Sequence, residues 1–159
     1  MSDDKKAFTK QKLTAARQQL LSVVGGLDEA QWERMVYAEE GNWRVSDVLR
    51  HLAEAEHGMI RLCEMIRLGG EGVRPDFDLN RYNARAVEKA KEKSPAELLA
   101  DMETNRGRLF AFVDTLQDED WAKEGRHASL NIMSIEQIMK IIGLHERQHT
   151  EDIRKALSK

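Results

Sequence analysis

The sequence predicts an all-α fold, a four-helix bundle with short extra helical segments in a single domain over residues 1–159. Three observations predict it. The chain has 159 residues, which suits one domain with its own core. It has only two prolines and is rich in Leu, Ala, Glu, Lys, Arg and Met, a composition that favours helices over strands. Apolar residues recur at helical spacing in long segments that glycine pairs interrupt.

The charge distribution excludes several kinds of partner. The net charge is −3, and basic residues are scattered rather than clustered, so no surface for nucleic acid is expected. No segment has the apolar length that spans a bilayer. The first residues lack the apolar stretch of a secretory signal, and the single cysteine cannot form an internal disulfide. We therefore expect a cytoplasmic protein that binds a small-molecule substrate, without nucleic-acid or membrane partners.

Two segments in the first half of the chain have the pattern of long helices. Residues 3–24 form the first, and a pair of glycines stops it. A short helical stretch is predicted over residues 28–35. Residues 45–68 form the second long helix. His51 lies beside the apolar stripe of this helix, which consists of Val45, Val48, Leu52, Ala55, Met59, Leu62 and Ile66.

Two more helices are predicted in the second half of the chain. A polar helix over residues 79–91 follows a loop. Ser94, Pro95 and Glu97 then have the form of a helix start: a capping serine, a proline at the first helical position and a carboxylate three residues after the cap. This helix is predicted to continue to about residue 116.

The last long helix carries two histidines on the face that points to the core. A polar stretch over residues 118–130 is expected to wrap the end of the bundle, and Ser134 then caps a helix over residues 135–157. His145 and His149 project from one side of this helix, with about 5 to 6 Å between their Cβ atoms. They interrupt an apolar stripe of Ile135, Ile138, Ile142, Ile153 and Leu157.

With His51, these two histidines form a candidate metal site. Three imidazoles from two facing helices would leave further coordination positions open. Two adjacent imidazoles on a core face carry a desolvation cost, which a shared metal offsets. A histidine at such a position, considered alone, is more often a hydrogen-bonded structural residue, and this alternative stays open. His57 and His127 have no predicted role.

The two histidines also complete an H-E-x-x-H pattern, which is typical of zinc proteases. Such an enzyme takes its third ligand from further downstream, but the ten residues after His149 contain neither histidine nor glycine. No upstream segment has the pattern of a substrate-binding strand. We therefore do not expect a protease. Glu146 is expected to face solvent; turned inward, it would be a candidate catalytic base.

Three segments carry a resemblance to a known family. They are Trp43 with Val45, Asp47-Val48-Leu49 and His51-Leu52-Ala53-Glu54-Ala55-Glu56; Tyr82-Asn83 followed by Ser94-Pro95-Ala96-Glu97-Leu98; and His145 to His149. One histidine early on the second long helix and an H-x-x-x-H pair near the end, in this order, resemble the DinB-like family of metal-binding bundles. One departure is Arg44, since members often have a small capping residue after the tryptophan.

The resemblance implies a DinB-like four-helix bundle with a divalent metal, zinc or nickel, held by His51, His145 and His149. Members of known activity include S-transferases and isomerases that use a low-molecular-weight thiol of the bacillithiol or mycothiol type. Asn83, with its neighbour Tyr82, is by resemblance a substrate-pocket residue. The family name carries no implication of DNA chemistry.

Two functions from different classes remain open. The first is a metal-dependent enzyme, most concretely a transferase that activates a small thiol on the metal; hydrolase or isomerase activity is a weaker expectation. The second is a non-catalytic stress-response protein that binds a metal or a small ligand. Polar groups that converge on the open metal face would favour the enzyme. Association of two copies into a homodimer through an exposed apolar helix face is left open, because the sequence does not identify such a face.

Overall fold

Four long helices form the bundle that the sequence predicts, so the predicted fold class is confirmed. The computed structural model describes residues 2–39 and 41–159. The long helices are α1 (Ser2–Val24), α3 (Val45–Arg67), α5 (Pro95–Thr115) and α6 (Ile135–Leu157). Between them lie α2 (Glu29–Trp32), α4 (Leu79–Lys89) and a 3₁₀ turn (Asp118–Ala122). None of the helices in this part of the chain combines the length and apolar character that a bilayer crossing requires.

Two short β-hairpins, absent from the sequence prediction, lead directly into the two histidine-bearing helices. In the first hairpin, β1 (Met35–Tyr37) pairs antiparallel with β2 (Trp43–Arg44). In the second, β3 (Glu124–Arg126) pairs antiparallel with β4 (Ile132–Ser134). The predicted helix over residues 28–35 is therefore too long, because α2 ends at Trp32 and Met35 already lies in a strand. A strand is predicted from alternating apolar and polar residues, and strands of two or three residues are too short to show that alternation.

Local caps fix where the long helices begin. Ser94 and Ser134 each accept a hydrogen bond from the backbone N–H three residues later, as their sequence pattern predicts. Helix α3 begins at Val45 although Arg44 provides no side-chain cap. There the Asp47 carboxylate accepts a hydrogen bond from the Arg44 backbone N–H at 3.1 Å. The departure at Arg44 thus leaves the predicted helix start unchanged.

The core has two apolar clusters, one towards each end of the bundle. The first cluster includes Leu13, Ile60, Leu109 and Ile138. The second includes Leu20, Val48, Met102 and Ile153. Helices α1 and α6 run from the first cluster to the second, whereas α3 and α5 run from the second to the first. Because α1 packs on α6 and α3 packs on α5, the neighbouring helices of each pair are parallel. Helix α4 lies on the long connection that returns the chain between α3 and α5.

A layer of four buried charges separates the two clusters, with one charge from each long helix. We call Arg17, Glu56, Arg106 and Glu146 the charge layer. Arg17 contacts Glu146 (Nε to Oε2, 2.9 Å) and Glu56 (Nη2 to Oε1, 3.0 Å). Arg106 contacts the same two carboxylates, Glu56 through Nε at 2.8 Å and Glu146 through Nη2 at 3.0 Å. Two cations and two anions thus balance, and every long helix is tied to its neighbours.

The expectation that Glu146 faces solvent is wrong. Only 3% of its surface is exposed, and its carboxylate accepts hydrogen bonds from both arginines of the charge layer. Glu146 follows Ile142 by four residues and precedes Ile153 by seven, which places it on the buried stripe of α6. The apolar stripe therefore continues through a charged residue, and the charge is neutralised within the core.

The first prediction concerns the charge layer. We expect Arg106→Met to lower the free energy of unfolding by about 3–5 kcal/mol, because it leaves two buried carboxylates with a single cation. Urea denaturation measures this. The control is Arg108→Met, which breaks the exposed contact with Glu64 and should cost about 1 kcal/mol or less. Equal losses in the two variants would contradict a stabilising role for the layer.

Candidate metal centre

The structure brings the three predicted histidines together between α3 and α6. One ring nitrogen from each of His51, His145 and His149 lies within 4.8 Å of the others. The Nε2 atom of His145 lies 2.9 Å from that of His51 and 3.1 Å from that of His149. We call these residues the histidine cluster. His51 and His149 lie on the side of the charge layer that holds the second apolar cluster, and His145 directly precedes Glu146 of the layer.

Burial keeps the histidine cluster neutral. Desolvation, and then the neighbouring His145 and His149 rings, lower the pKa of His51 to about 3. Desolvation, and then the neighbouring His149 and His127, lower the pKa of His145 to about 4. The pKa of His149 is lowered by burial as well, although the charge of Asp152 opposes the shift. At neutral pH each ring therefore has an unprotonated nitrogen that can bind a cation.

Tyr37 from the first hairpin fixes the tautomer of His149. The Tyr37 hydroxyl lies 2.8 Å from His149 Nδ1 and donates to the Asp152 carboxylate. A hydroxyl has one proton, and a carboxylate only accepts, so Tyr37 accepts from the Nδ1–H of His149. The His149 Nε2 atom then carries a lone pair directed at the cluster. This is the arrangement in which a histidine ligates a metal through Nε2.

The contacts within the cluster fit a cation better than a hydrogen-bond network. His149 Nε2 has no proton, and a single proton on His145 Nε2 cannot point at both neighbouring rings. One of the two short N···N contacts would therefore lack a good hydrogen bond, whereas a metal accepts all three lone pairs. Nitrogens 2.0–2.1 Å from a tetrahedral zinc ion are about 3.3–3.4 Å apart. The two short spacings of 2.9 and 3.1 Å are somewhat below that value, and the remaining pair, from His51 and His149, lies within 4.8 Å.

An aromatic side chain supports the cluster from outside. The Trp43 ring, on β2, packs against the His51 ring with centroids 4.9 Å apart. Tyr37 lies edge-on to both Trp43 and His149. Sequence reasoning missed Tyr37 and Asp152, because their role depends on a hairpin that it did not predict.

The remaining candidate residues are Tyr82 and Asn83 on α4, with two further histidines. The Tyr82 hydroxyl donates to Glu54 at 2.7 Å, and Tyr82 lines a cleft between α3, α4 and α5 that includes none of the three histidines. Asn83 is half-buried on α4. His57 lines the same cleft as Tyr82, and His127 lies beside Ser129 in the turn of the second hairpin. Among the described residues, neither Tyr82 nor Asn83 hydrogen-bonds to the histidine cluster.

The comparisons with known proteins decide the family. The family model described as the DinB superfamily matches residues 12–153, a span that includes all three histidines. The chain belongs to the DinB superfamily. The resemblance seen in the sequence is thereby confirmed. No match was found among curated protein sequences.

A solved structure shares the fold of this DinB-superfamily protein. It is YfiT from Bacillus subtilis, which is described as a probable metal-dependent hydrolase with an unusual four-helix bundle topology. The TM-score is 0.79 at 22% sequence identity, over 98% of this chain and 87% of YfiT. At that identity, the likeness establishes the fold. In this chain, α1 runs parallel to α6, and α3 runs parallel to α5.

The second prediction concerns metal content. Protein purified without a histidine tag should carry close to one equivalent of a divalent metal, and His149→Ala should lose most of it, because two imidazoles hold a metal less tightly than three. Plasma mass spectrometry measures the content. His57→Ala is the matched control, since His57 lies on α3 outside the cluster, and it should keep its metal. Equal metal in both variants, or none in the wild type after zinc supplementation, would contradict the assignment.

The third prediction concerns pH and applies to the metal-stripped protein. Below pH 6.5 the unfolded state takes up protons on its histidines, whereas His51 and His145 stay neutral in the fold until pH about 3 and about 4. The free energy of unfolding should therefore fall as pH drops from 7 to 5, by up to about 1.4 kcal/mol per pH unit per histidine. Denaturation of wild type and His51→Gln at several pH values measures the slope. The variant should be flatter; parallel curves would refute the prediction.

Proposed function

We propose that this DinB-superfamily protein binds one divalent metal, zinc or nickel, through His51, His145 and His149, and catalyses transfer of a low-molecular-weight thiol to an electrophilic substrate. The proposal rests on a cluster of three neutral ligands without an anionic one among the described residues. When bound there, a divalent cation keeps its charge and lowers the pKa of a coordinated thiol. In the transfer, sulfur bonds to the electrophilic carbon, the leaving group departs with its electron pair, and the thiol proton goes to solvent.

One observation favours a thiol over a nucleophile that needs a protein base. In an H-E-x-x-H protease the glutamate acts as general base. Here the Glu146 carboxylate is held by Arg17 and Arg106 inside the charge layer. We therefore assign Glu146 a positioning role in the fold, not the base of the reaction. A thiol, with an ordinary pKa near 8.5, loses its proton without such a base more readily than water does.

The nucleophilic sulfur is not expected to come from the chain itself. Cys63 is the only cysteine, and it is fully buried in the first apolar cluster. Burial, and then the charge of Glu64, raise the pKa of the Cys63 thiol to about 12. Cys63 is thus a small core residue. The thiol in this proposal is a co-substrate from solution.

Hydrolysis is the second candidate, and the description of YfiT as a probable metal-dependent hydrolase favours it. Water would replace the thiol at the same three histidines. A non-catalytic role, as a protein that binds a metal or small ligand under stress, is the third. The hydrogen bond of Tyr82 to Glu54 favours this third candidate, since Tyr82 was expected to supply a polar group at the open metal face.

The fourth prediction separates the three candidates. Zinc- or nickel-loaded protein should accelerate the conjugation of cysteine or a bacterial thiol to 1-chloro-2,4-dinitrobenzene, followed by absorbance. His51→Gln should lose at least about tenfold in rate, because transition-state stabilisation by the metal is lost. The control is Cys63→Ala, which should retain the rate if the protein's own thiol takes no part.

The other outcomes are equally informative. Release of nitrophenol from a nitrophenyl ester without any thiol, dependent on the same histidines, would replace the transferase with a hydrolase. Stoichiometric metal without either activity would support the non-catalytic alternative.

A further inference from the structure

A cleft of about 560 Å³ lies between α3, α4 and α5, apart from the histidine cluster. Its volume falls in the range of sites that hold small molecules. Helix α3 contributes Arg50, Ala53, Glu54 and His57, and α5 contributes Thr104 and Asn105 among others. His51 lies on α3 within this stretch but does not line the cleft. The cleft and the histidine cluster therefore use different sides of α3.

The face of α4 that lines this cleft is unusual for a helix packed on a bundle. Its residues occur at the spacing of one helical stripe, where apolar side chains are normally found. The stripe consists of Tyr82, Arg85, Ala86 and Lys89, and of Ala90, which directly follows the helix. No residue of α4 is buried. Two of these residues are alanines, whose side chains occupy little volume, and two are long basic residues.

The acidic residues of the cleft and two of its basic residues already have partners. Glu54 accepts the Tyr82 hydroxyl at 2.7 Å, and Asp101 accepts Lys93 Nζ at 2.6 Å. The Arg50 guanidinium donates to the backbone carbonyls of residues 90, 91 and 93 at 3.0–3.1 Å. It thereby joins α3 to the end of α4. Asp101 is thus paired with Lys93, whereas Glu54 accepts only a neutral hydroxyl and keeps its charge.

Arg85 and Lys89 are the two cations that remain. Neither forms a side-chain hydrogen bond or ion pair with any residue in the described ranges 2–39 and 41–159. The cleft has four basic side chains against two acidic ones, on a chain whose net charge is −3. Arg85 and Lys89 are one helical turn apart, about 5 to 6 Å between Cβ atoms, and both line the cleft. A compact ligand with two negative charges would contact both.

We propose that this cleft binds a small dianion, a dicarboxylate or a phosphate monoester, with Arg85 and Lys89 as the anchoring residues. Guanidinium and ammonium groups form charge-assisted hydrogen bonds with both kinds of anion. Thr104 on α5 adds a neutral polar group to the wall of the cleft. The site is separate from the metal centre, so its occupancy does not depend on the proposed thiol chemistry.

The test is a titration of isotope-labelled full-length protein with succinate and with inorganic phosphate, followed by amide ¹H–¹⁵N chemical shifts at constant ionic strength. We expect saturable shifts at amides of the cleft, such as Ala53, Ala86 and Thr104, with a dissociation constant in the millimolar range or below. The double variant R85Q/K89Q should bind at least tenfold more weakly. The uncharged diamide of succinate should cause no such shifts.

A second double variant matches the loss of charge. R81Q/K91Q removes two basic residues at the two ends of the same segment that do not line the cleft, and it should change the dissociation constant less than twofold. Saturation by succinate alone would identify a dicarboxylate, and saturation by phosphate alone a phosphate ester; either supports the site. Equal weakening in both double variants, shifts outside the cleft, or no saturation with either anion would overturn it. Saturation that persists in His149→Ala protein would support a site independent of the metal.

Discussion

Two buried arginines and two buried carboxylates, one from each long helix, constrain the whole bundle. Isolated charges in an apolar core are strongly unfavourable, so the fold is stable only when all four meet with good geometry. Each guanidinium contacts both carboxylates, and this arrangement fixes the rotation and height of every long helix. Glu146 directly follows His145 in α6, and Glu56 lies five residues after His51 in α3. The layer that orders the bundle thus also sets the spacing of the candidate metal ligands.

The two hairpins act on the same helices from their starts. Each ends at the residue immediately before a histidine-bearing helix, and the first hairpin brings Tyr37 and Trp43 against the histidine cluster. The hydrogen bonds of Tyr37 direct the lone pair of His149 inward, while Trp43 packs against the His51 ring. The carboxylates near the cluster therefore serve the structure: Glu146 balances two arginines and Asp152 holds a tyrosine. In the proposed reaction, this division would leave deprotonation of the nucleophile to the metal and the solvent.

The features that could be predicted from the sequence depend on neighbouring residues or on the spacing of residues along one helix. Ser94 and Ser134 have caps that predict helix starts, and the spacing of His145 and His149 places two imidazoles on one face. The charge layer could not be predicted in this way. The pattern of one helix does not distinguish a charged residue that is buried from one that faces solvent. Arg17 and Glu146 are 129 residues apart in the chain. Their pairing depends on which helices pack against each other, and the spacing of apolar residues within each helix does not determine this.

The most direct test of the central claim is an anomalous difference map from a crystal of the zinc-loaded protein. The account predicts one strong peak at about 2.0–2.1 Å from the Nε2 atoms of His51, His145 and His149, with protein sulfur absent from the coordination sphere. A zinc peak elsewhere, or a map without a peak at these three residues in a fully folded crystal, would contradict the assignment.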